Sequence, residues 1–154
     1  MSALASSAVP RLRPMCEEDL VRVIDIELVA YDFPWTLGIF RDCLRYGYTC
    51  MVFESDEDLL GYGILSVGAG ECHLLNICIA PAFQGRGHGA QMIEGLLELA
   101  RTQAARMAFL EVRASNTAAY RVYTKLGFNE LGVRKNYYPA HNGREDAILL
   151  AREL

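Results

Sequence analysis

Residues 80–100 read APAFQGRGHGAQMIEGLLELA. Three glycines, Gly85, Gly87 and Gly89, fall within five residues, and an apolar-rich segment follows. Met92, Ile93, Leu96, Leu97 and Ala100 recur at helical spacing, which predicts a helix from about Gly87 to Ala104. Glycine lets a backbone reach positive φ and approach a ligand closely. The first amides of a helix have no carbonyl partner and lie at the positive end of its dipole. The combination reads as a phosphate cradle at a helix start, or more simply as a glycine-rich turn. A P-loop is excluded, because no Gly-Lys followed by Ser or Thr is present. Gly85, Gly87 and Ala90 satisfy G-x-G-x-x-A, and Glu111 lies roughly twenty residues on, as in a dinucleotide fingerprint. Against that reading, APAFQ separates the glycines from the preceding strand, and too little chain follows Glu111 for a doubly wound sheet.

Outward from this stretch, ECHLLNICIA upstream and RMAFLEVRA downstream read as strands. With the helix between them they predict a right-handed parallel crossover from Glu71 to Arg113. Further upstream, VPRLRP reads as a short edge strand. EEDLVRVIDIELVAY reads as a helix with Leu20, Val23, Ile24, Ile26 and Leu28 on its apolar face. DFPWT breaks the chain, and Thr36 can cap a second helix, LGIFRDCLRYG, that stops near Gly47. YTCMVFE, SDED and LLGYGILSVG read as strand, turn and strand. Downstream, NTAAYRVYTKLG reads as a helix capped by Asn116 with Gly127 past its end. FNELGVRKNYY and EDAILLARE read as closing strands joined by a PAHNGR loop. The order β, α, α, β, β, β, α, β, α, β, β predicts an α/β fold: a single mixed sheet of about seven strands flanked by four helices.

The chain has 154 residues, 52% of them hydrophobic and 22% charged, which fits one domain with one core. Residues 1–8 read as a flexible tail and 9–154 as the domain. No apolar run approaches the roughly 18 residues that a membrane helix needs, and the start shows no secretory signal pattern. The net charge of −4 argues against a nucleic-acid partner. Five cysteines, without a C-x-x-C pair, read as reduced thiols of a cytoplasmic protein. His73, His88 and His141 show no metal-ligand spacing, so no metal is expected.

Two polar residues sit where the fold expects apolar ones. Glu111 lies inside the strand AFLEVRA, where a carboxylate needs a partner such as Arg113 or a chemical purpose. Tyr123 lies on the face of its helix that turns toward the sheet, as a core aromatic bonded to backbone or as a proton donor.

QGRGHG, Gln84 to Gly89, matches the Q/R-x-x-G-x-G/A signature of the GNAT family of N-acetyltransferases, and the predicted order of elements resembles that fold along nearly the whole chain. FPWT, LEVRASN, YTKLGF and NYYPAHNGREDAILL resemble its RimI-type branch, which acetylates the N-terminal alanine of a small-subunit ribosomal protein. His88 is a small departure, at a position where the family often has a neutral or basic residue. The resemblance implies acetyl-coenzyme A as cosubstrate, with its pyrophosphate on Gln84, Gly85, Arg86, Gly87, His88, Gly89 and Ala90. It implies main-chain contacts from Ile77, Cys78 and Ile79 to the pantetheine arm, one amide also polarising the acetyl carbonyl, and a further contact from Asn116. Glu111 becomes the base and Tyr123, rather than Tyr120, the acid. Direct transfer makes Cys78 no nucleophile. NYYPAHNGRED becomes the peptide wall, with Tyr137, Tyr138 and Pro139 packing the substrate tail and Glu145 or Asp146 meeting its basic residues. The implied partner is the N-terminal tail of a small-subunit ribosomal protein; other protein partners stay open, and no nucleic acid or membrane is implied. An acetyltransferase for a small amine or an internal lysine, and a silent acyl-coenzyme A sensor, remain alternatives; retention of Glu111 and Tyr123 disfavours the sensor.

Overall fold

Tight turns build the front of the sheet. In the computed structural model, which describes residues 9–154, strands β1 (Arg11–Pro14), β2 (Thr49–Ser55), β3 (Asp58–Gly68) and β4 (Glu71–Ile79) pair antiparallel in that order. Ala69 and Gly70 join β3 to β4 at φ of 52° and 81°, the positive-φ pair that suits the twist of a two-residue hairpin. Behind them, β5 (Met107–Arg113) pairs antiparallel with β7 (Gly143–Glu153), and β7 with β6 (Asn129–Ala140). All seven strands form one sheet in the order β1-β2-β3-β4-β5-β7-β6. The expected tail, residues 1–8, lies outside the described residues.

Four helices cover the sheet, two on each face. Helices α1 (Leu20–Ala30) and α2 (Leu37–Arg45) supply Leu20, Val23, Phe40 and Cys43 to a cluster with Val52, Tyr62 and Ile64. On the other face, α3 (His88–Thr102) and α4 (Thr117–Lys125) supply Met92, Ile93, Leu96, Leu97 and Tyr123 to a cluster with Leu65, Leu110 and Leu150. The α3 stripe is the one read from sequence, although the helix stops at Thr102, short of Ala104, whose φ is 69°. The expected caps are present: the Thr36 side chain accepts from the Ile39 amide and that of Asn116 from the Ala119 amide, both at 3.2 Å.

Three expectations are corrected. A 3-10 turn, Glu17–Asp19, precedes α1, because the Asp19 carboxylate accepts from the Cys16 amide and from the Arg13 guanidinium. Leu28 is 58% exposed, and its neighbour Glu27, only 2% exposed, takes the inward position. PAHNGR is not a loop: Pro139 pairs with Arg144 and Ala140 with Gly143, so the turn narrows to His141 and Asn142. β6 is an edge strand, where proline forfeits no ladder bond.

Between the two halves of the sheet lies one short parallel ladder, Glu71–Met107, Cys72–Ala108 and His73–Phe109. Beyond it β4 and β5 diverge, and the site lies in the gap.

Candidate active site

The gap is a cavity of about 350 Å³. Leu74 to Ile77 of β4 form one side and Leu110 to Arg113 of β5 the other; α4 closes it with Ala119 and Tyr123, and the end of α1 with Glu27 and Tyr31. Phe33, Trp35, Tyr138 and Pro139 rim it.

Glu111 is half-buried on β5 and lines this cavity. Its carboxylate makes no hydrogen bond or ion pair with another described residue. The cation two positions on, Arg113, bonds instead to Glu145 Oε1 at 3.0 Å and to the Pro139 carbonyl at 2.8 Å. The structural alternative for Glu111, pairing with Arg113, is therefore absent among the described residues.

Tyr123 projects into the same cavity from α4. It is 9% exposed and packs edge-on against Phe128 at 5.6 Å. Its hydroxyl also bonds to no described residue, so the backbone-bonded core aromatic is absent too. Burial first, then Tyr138 and Cys78, push its pKa well above that of a free phenol. Tyr120 instead donates to Glu130 at 3.1 Å, away from the cavity lining. Burial pushes the Cys78 thiol up to about 11, so at neutral pH it keeps its proton.

The glycine loop runs on from the C-terminal end of β4. Gly85 and Gly87 have φ of 79° and 82°, and a Cβ on either would meet no protein atom within 4 Å. No side chain caps α3, so its first amides stay available to an anion. The Gln84 side chain donates to the Ile79 carbonyl at 2.9 Å and ties the loop to the strand. Arg86 lies over Phe83 at 5.7 Å, and His88 packs edge-on to Phe53 at 6.2 Å. Gly89 and Ala90 lie in the first turn of α3. Asn116 caps α4 and lines the cavity at once.

On the expected peptide wall, Tyr138 lines the cavity while Tyr137 stands outside it, 44% exposed and edge-on to Tyr138 at 4.9 Å. Burial, then the Glu111 carboxylate, push Tyr138 up to about 12. Glu145 and Asp146 are both engaged within the protein. Glu145 accepts from Arg113 and from the Ser115 amide at 2.7 Å, and bonding from Ser115 holds it below the usual carboxylate range. Asp146 accepts from the Asn136 amide at 2.9 Å, which lowers its pKa, and pairs with Lys135 at 3.5 Å.

Several site residues escaped the sequence reading. Tyr31 donates to the Ile77 carbonyl at 2.8 Å, so it occupies one of the main-chain groups expected to face the pantetheine arm. Arg113 stacks on Tyr138 at 4.5 Å and on Phe33 at 5.3 Å. His141 reaches Asp32 at 3.2 Å and the Phe33 ring at 5.1 Å. Together these tie the β6–β7 hairpin to the turn between α1 and α2. The readable signal for Glu27 was a lone acid within the apolar run IELV.

A mixed sheet parted beside its crossover helix, a glycine-lined amide cradle at that helix start, and a carboxylate and a phenol hydroxyl without a partner among the described residues in the gap make an arrangement suited to acyl transfer. Residues 17–128 match the acetyltransferase (GNAT) family, and the chain belongs to that family. It is 39% identical over 133 residues to the [ribosomal protein bS18]-alanine N-acetyltransferase of Salmonella typhimurium, covering 86% of this chain and 90% of the relative. It is 37% identical to the Escherichia coli K12 protein of the same name, over 86% and 90% of the two chains. The crystal structure of the Escherichia coli ribosomal-protein-S18-alanine N-acetyltransferase superposes with a TM-score of 0.87 at 34% identity, covering 94% of each chain. Among the described residues no group of three or more His, Cys, Asp or Glu side chains could hold a metal, and no helix is long and apolar enough to cross a membrane.

Proposed function

We propose that this enzyme transfers the acetyl group of acetyl-coenzyme A to the α-amine of an N-terminal alanine, with the tail of a small ribosomal-subunit protein as substrate. A ribosomal-protein substrate places that reaction in the cytoplasm. The observation that carries the mechanism is the pair Glu111 and Tyr123. Both line one cavity, and neither the Glu111 carboxylate nor the Tyr123 hydroxyl bonds to another described residue.

Acetyl-coenzyme A supplies the acetyl group as a thioester. Its pyrophosphate is held by Gln84, Gly85, Arg86, Gly87, His88, Gly89 and Ala90, where positive-φ glycines leave room and uncapped amides donate. The diverging edge of β4 at Ile77, Cys78 and Ile79 takes the pantetheine arm in the manner of an added strand, through main-chain groups other than the Ile77 and Ile79 carbonyls that Tyr31 and Gln84 hold, with Asn116 opposite. Glu111 accepts the proton of the incoming ammonium, whose pKa is about 8, directly or through water. The freed amine attacks the thioester carbonyl, and the C–S bond breaks as the new C–N bond completes. Tyr123 donates its proton to the departing sulfur and regains one, through water, from the acylated nitrogen as it becomes a neutral amide; the raised pKa of the phenol keeps it protonated at neutral pH between turnovers. Tyr138 and Pro139 form the peptide wall, with Tyr137 buttressing Tyr138, while Glu145 and Asp146 hold that wall through Arg113 and Asn136.

The α-amine is preferred over lysine because the two differ by more than two pKa units, or roughly 3 kcal/mol at about 1.36 per unit. The test is mass spectrometry on peptides carrying a free N-terminal alanine and an internal lysine, beside peptides with a blocked N-terminus. Acetylation confined to the free α-amine is expected. Comparable modification of the blocked peptides would overturn the reading in favour of a lysine acetyltransferase.

A further inference from the structure

Glu27 is a buried carboxylate for which the chemistry above has no use. It is 2% exposed on α1 and lines the cavity. No lysine or arginine pairs with it among the described residues. Its acceptors are instead filled by three donors from three places in the fold. Tyr62 of β3 donates its hydroxyl to Oε1 at 2.5 Å, and Asn76 of β4 donates its side-chain amide to the same oxygen at 3.1 Å. Oε2 takes the backbone amide of Trp35, in the turn between α1 and α2, at 2.9 Å. An aromatic chain closes the circuit: Trp35 packs on Phe40 at 5.3 Å, and Phe40 edge-on to Tyr62 at 5.7 Å.

Burying a carboxylate without a cation is unfavourable, and donors on both oxygens are what make it tolerable. Hydrophobic residues of similar volume would stabilise such a core as well, so stability alone does not account for it. The circuit does specify geometry: it fixes the Trp35 wall of the cavity relative to β4. We propose that Glu27 is a positioning residue, whose buried carboxylate holds the α1–α2 turn at Trp35 and strand β4 at Asn76 in one frame and so sets how far the side chain of the substrate's first residue can enter. The inference rests on the proposed function, in which the amine enters between β4 and β5.

Glu27→Gln is the informative change. It keeps the volume but turns one acceptor into a donor that must face Trp35, Tyr62 or Asn76. Loss of a charge-assisted bond predicts a peptide KM raised roughly tenfold or more, with the acetyl-coenzyme A KM within about twofold of wild type. Preference for alanine over leucine at the first position should fall with it. The control is Asp19→Asn, which breaks another buried carboxylate, bonded twice to Arg13 at 2.8 Å, outside the cavity. It should lower stability and leave the peptide KM unchanged. Trp35 is the only tryptophan, so its emission, excited beyond tyrosine absorption, reads the frame independently of activity; in Glu27→Gln it should shift to the red and quench more readily with acrylamide. If Glu27→Gln does not fold, Glu27→Asp keeps the charge but shortens the reach, and the same shifts are expected. If wild-type enzyme ignores alanine peptides, the proposed function fails, and the emission still decides the frame. Unchanged emission, or a peptide KM and first-residue preference equal to wild type in the folded variant, overturns the proposal.

Discussion

Tyr123→Phe separates catalysis from packing more cleanly than any other change in the cavity. A buried tyrosine hydroxyl normally bonds within the protein, and deleting it costs about 0.5–1.5 kcal/mol. Here the hydroxyl has no partner among the described residues, while the ring keeps its edge-on contact with Phe128 at 5.6 Å. The stability change should therefore stay within about 0.5 kcal/mol, a shift of no more than about 2 °C in Tm for a domain of this size. Activity should respond very differently. Protonation of a leaving group by a placed acid is worth about 10²–10⁴-fold, or roughly 2.7–5.4 kcal/mol at 1.36 per decade. The demand arises in the transition state, so kcat should fall by that factor while both KM values hold. Because burial lifts Tyr123 above the ordinary phenol range, wild-type activity should show no loss from its ionisation below about pH 10. The assay is release of free coenzyme A from an alanine peptide, beside thermal unfolding of the same preparation. Turnover within a few-fold of wild type would refute the acid role. A large fall in Tm would show instead that the hydroxyl is structural.

Glu111→Gln should lower kcat/KM at neutral pH and recover part of the loss above the α-amine pKa of about 8, where the substrate deprotonates itself; a variant-to-wild-type ratio that is flat up to pH about 9 would remove the base assignment. Gly87→Val places a β-branched residue at a φ of 82° and should abolish acetyl-coenzyme A binding by calorimetry. Gly89→Ala, whose Cβ would sit 3.7 Å from the Ile79 side chain at an ordinary contact distance, should retain binding; equal affinities in the two variants would undo the cradle.

Most of the framework was legible because local signals and tertiary packing agree. The α3 stripe, the Thr36 and Asn116 caps and the order of elements each follow from spacing or capping chemistry that no distant contact overrides. The inward face of α1 was misread because apolar periodicity ranks Leu28 above Glu27. Two of the three donors that make Glu27 acceptable, Tyr62 of β3 and Asn76 of β4, are far away in sequence, and the third, the Trp35 amide, lies beyond the end of the helix. The PAHNGR segment was misread for a related reason: proline and glycine signal a loop, but an edge strand accepts both. Glu111 and Tyr123 stood out as residue types at odds with their elements. That Arg113 leaves Glu111 unpaired depended on Glu145, on a strand whose position only the assembled sheet supplies.

The short parallel ladder at Glu71–Met107 to His73–Phe109 also bears on the order in which the chain folds. β2, β3 and β4 close through tight hairpins, and β6–β7 is a hairpin too, so part of each half gains contacts soon after its loops form. The seam between them must close a loop containing all of α3, and three residue pairs return little for that entropy. The seam should be the last part of the sheet to form and the first to open. In native-state hydrogen exchange its amides should exchange at a lower opening free energy than those of β3 or β7. Acetyl-coenzyme A, which the proposed function seats along the β4 side of the seam, should slow that exchange in proportion to its occupancy. Substrate loading would then act as the final step of folding, and the empty enzyme would be the form most exposed to proteolysis.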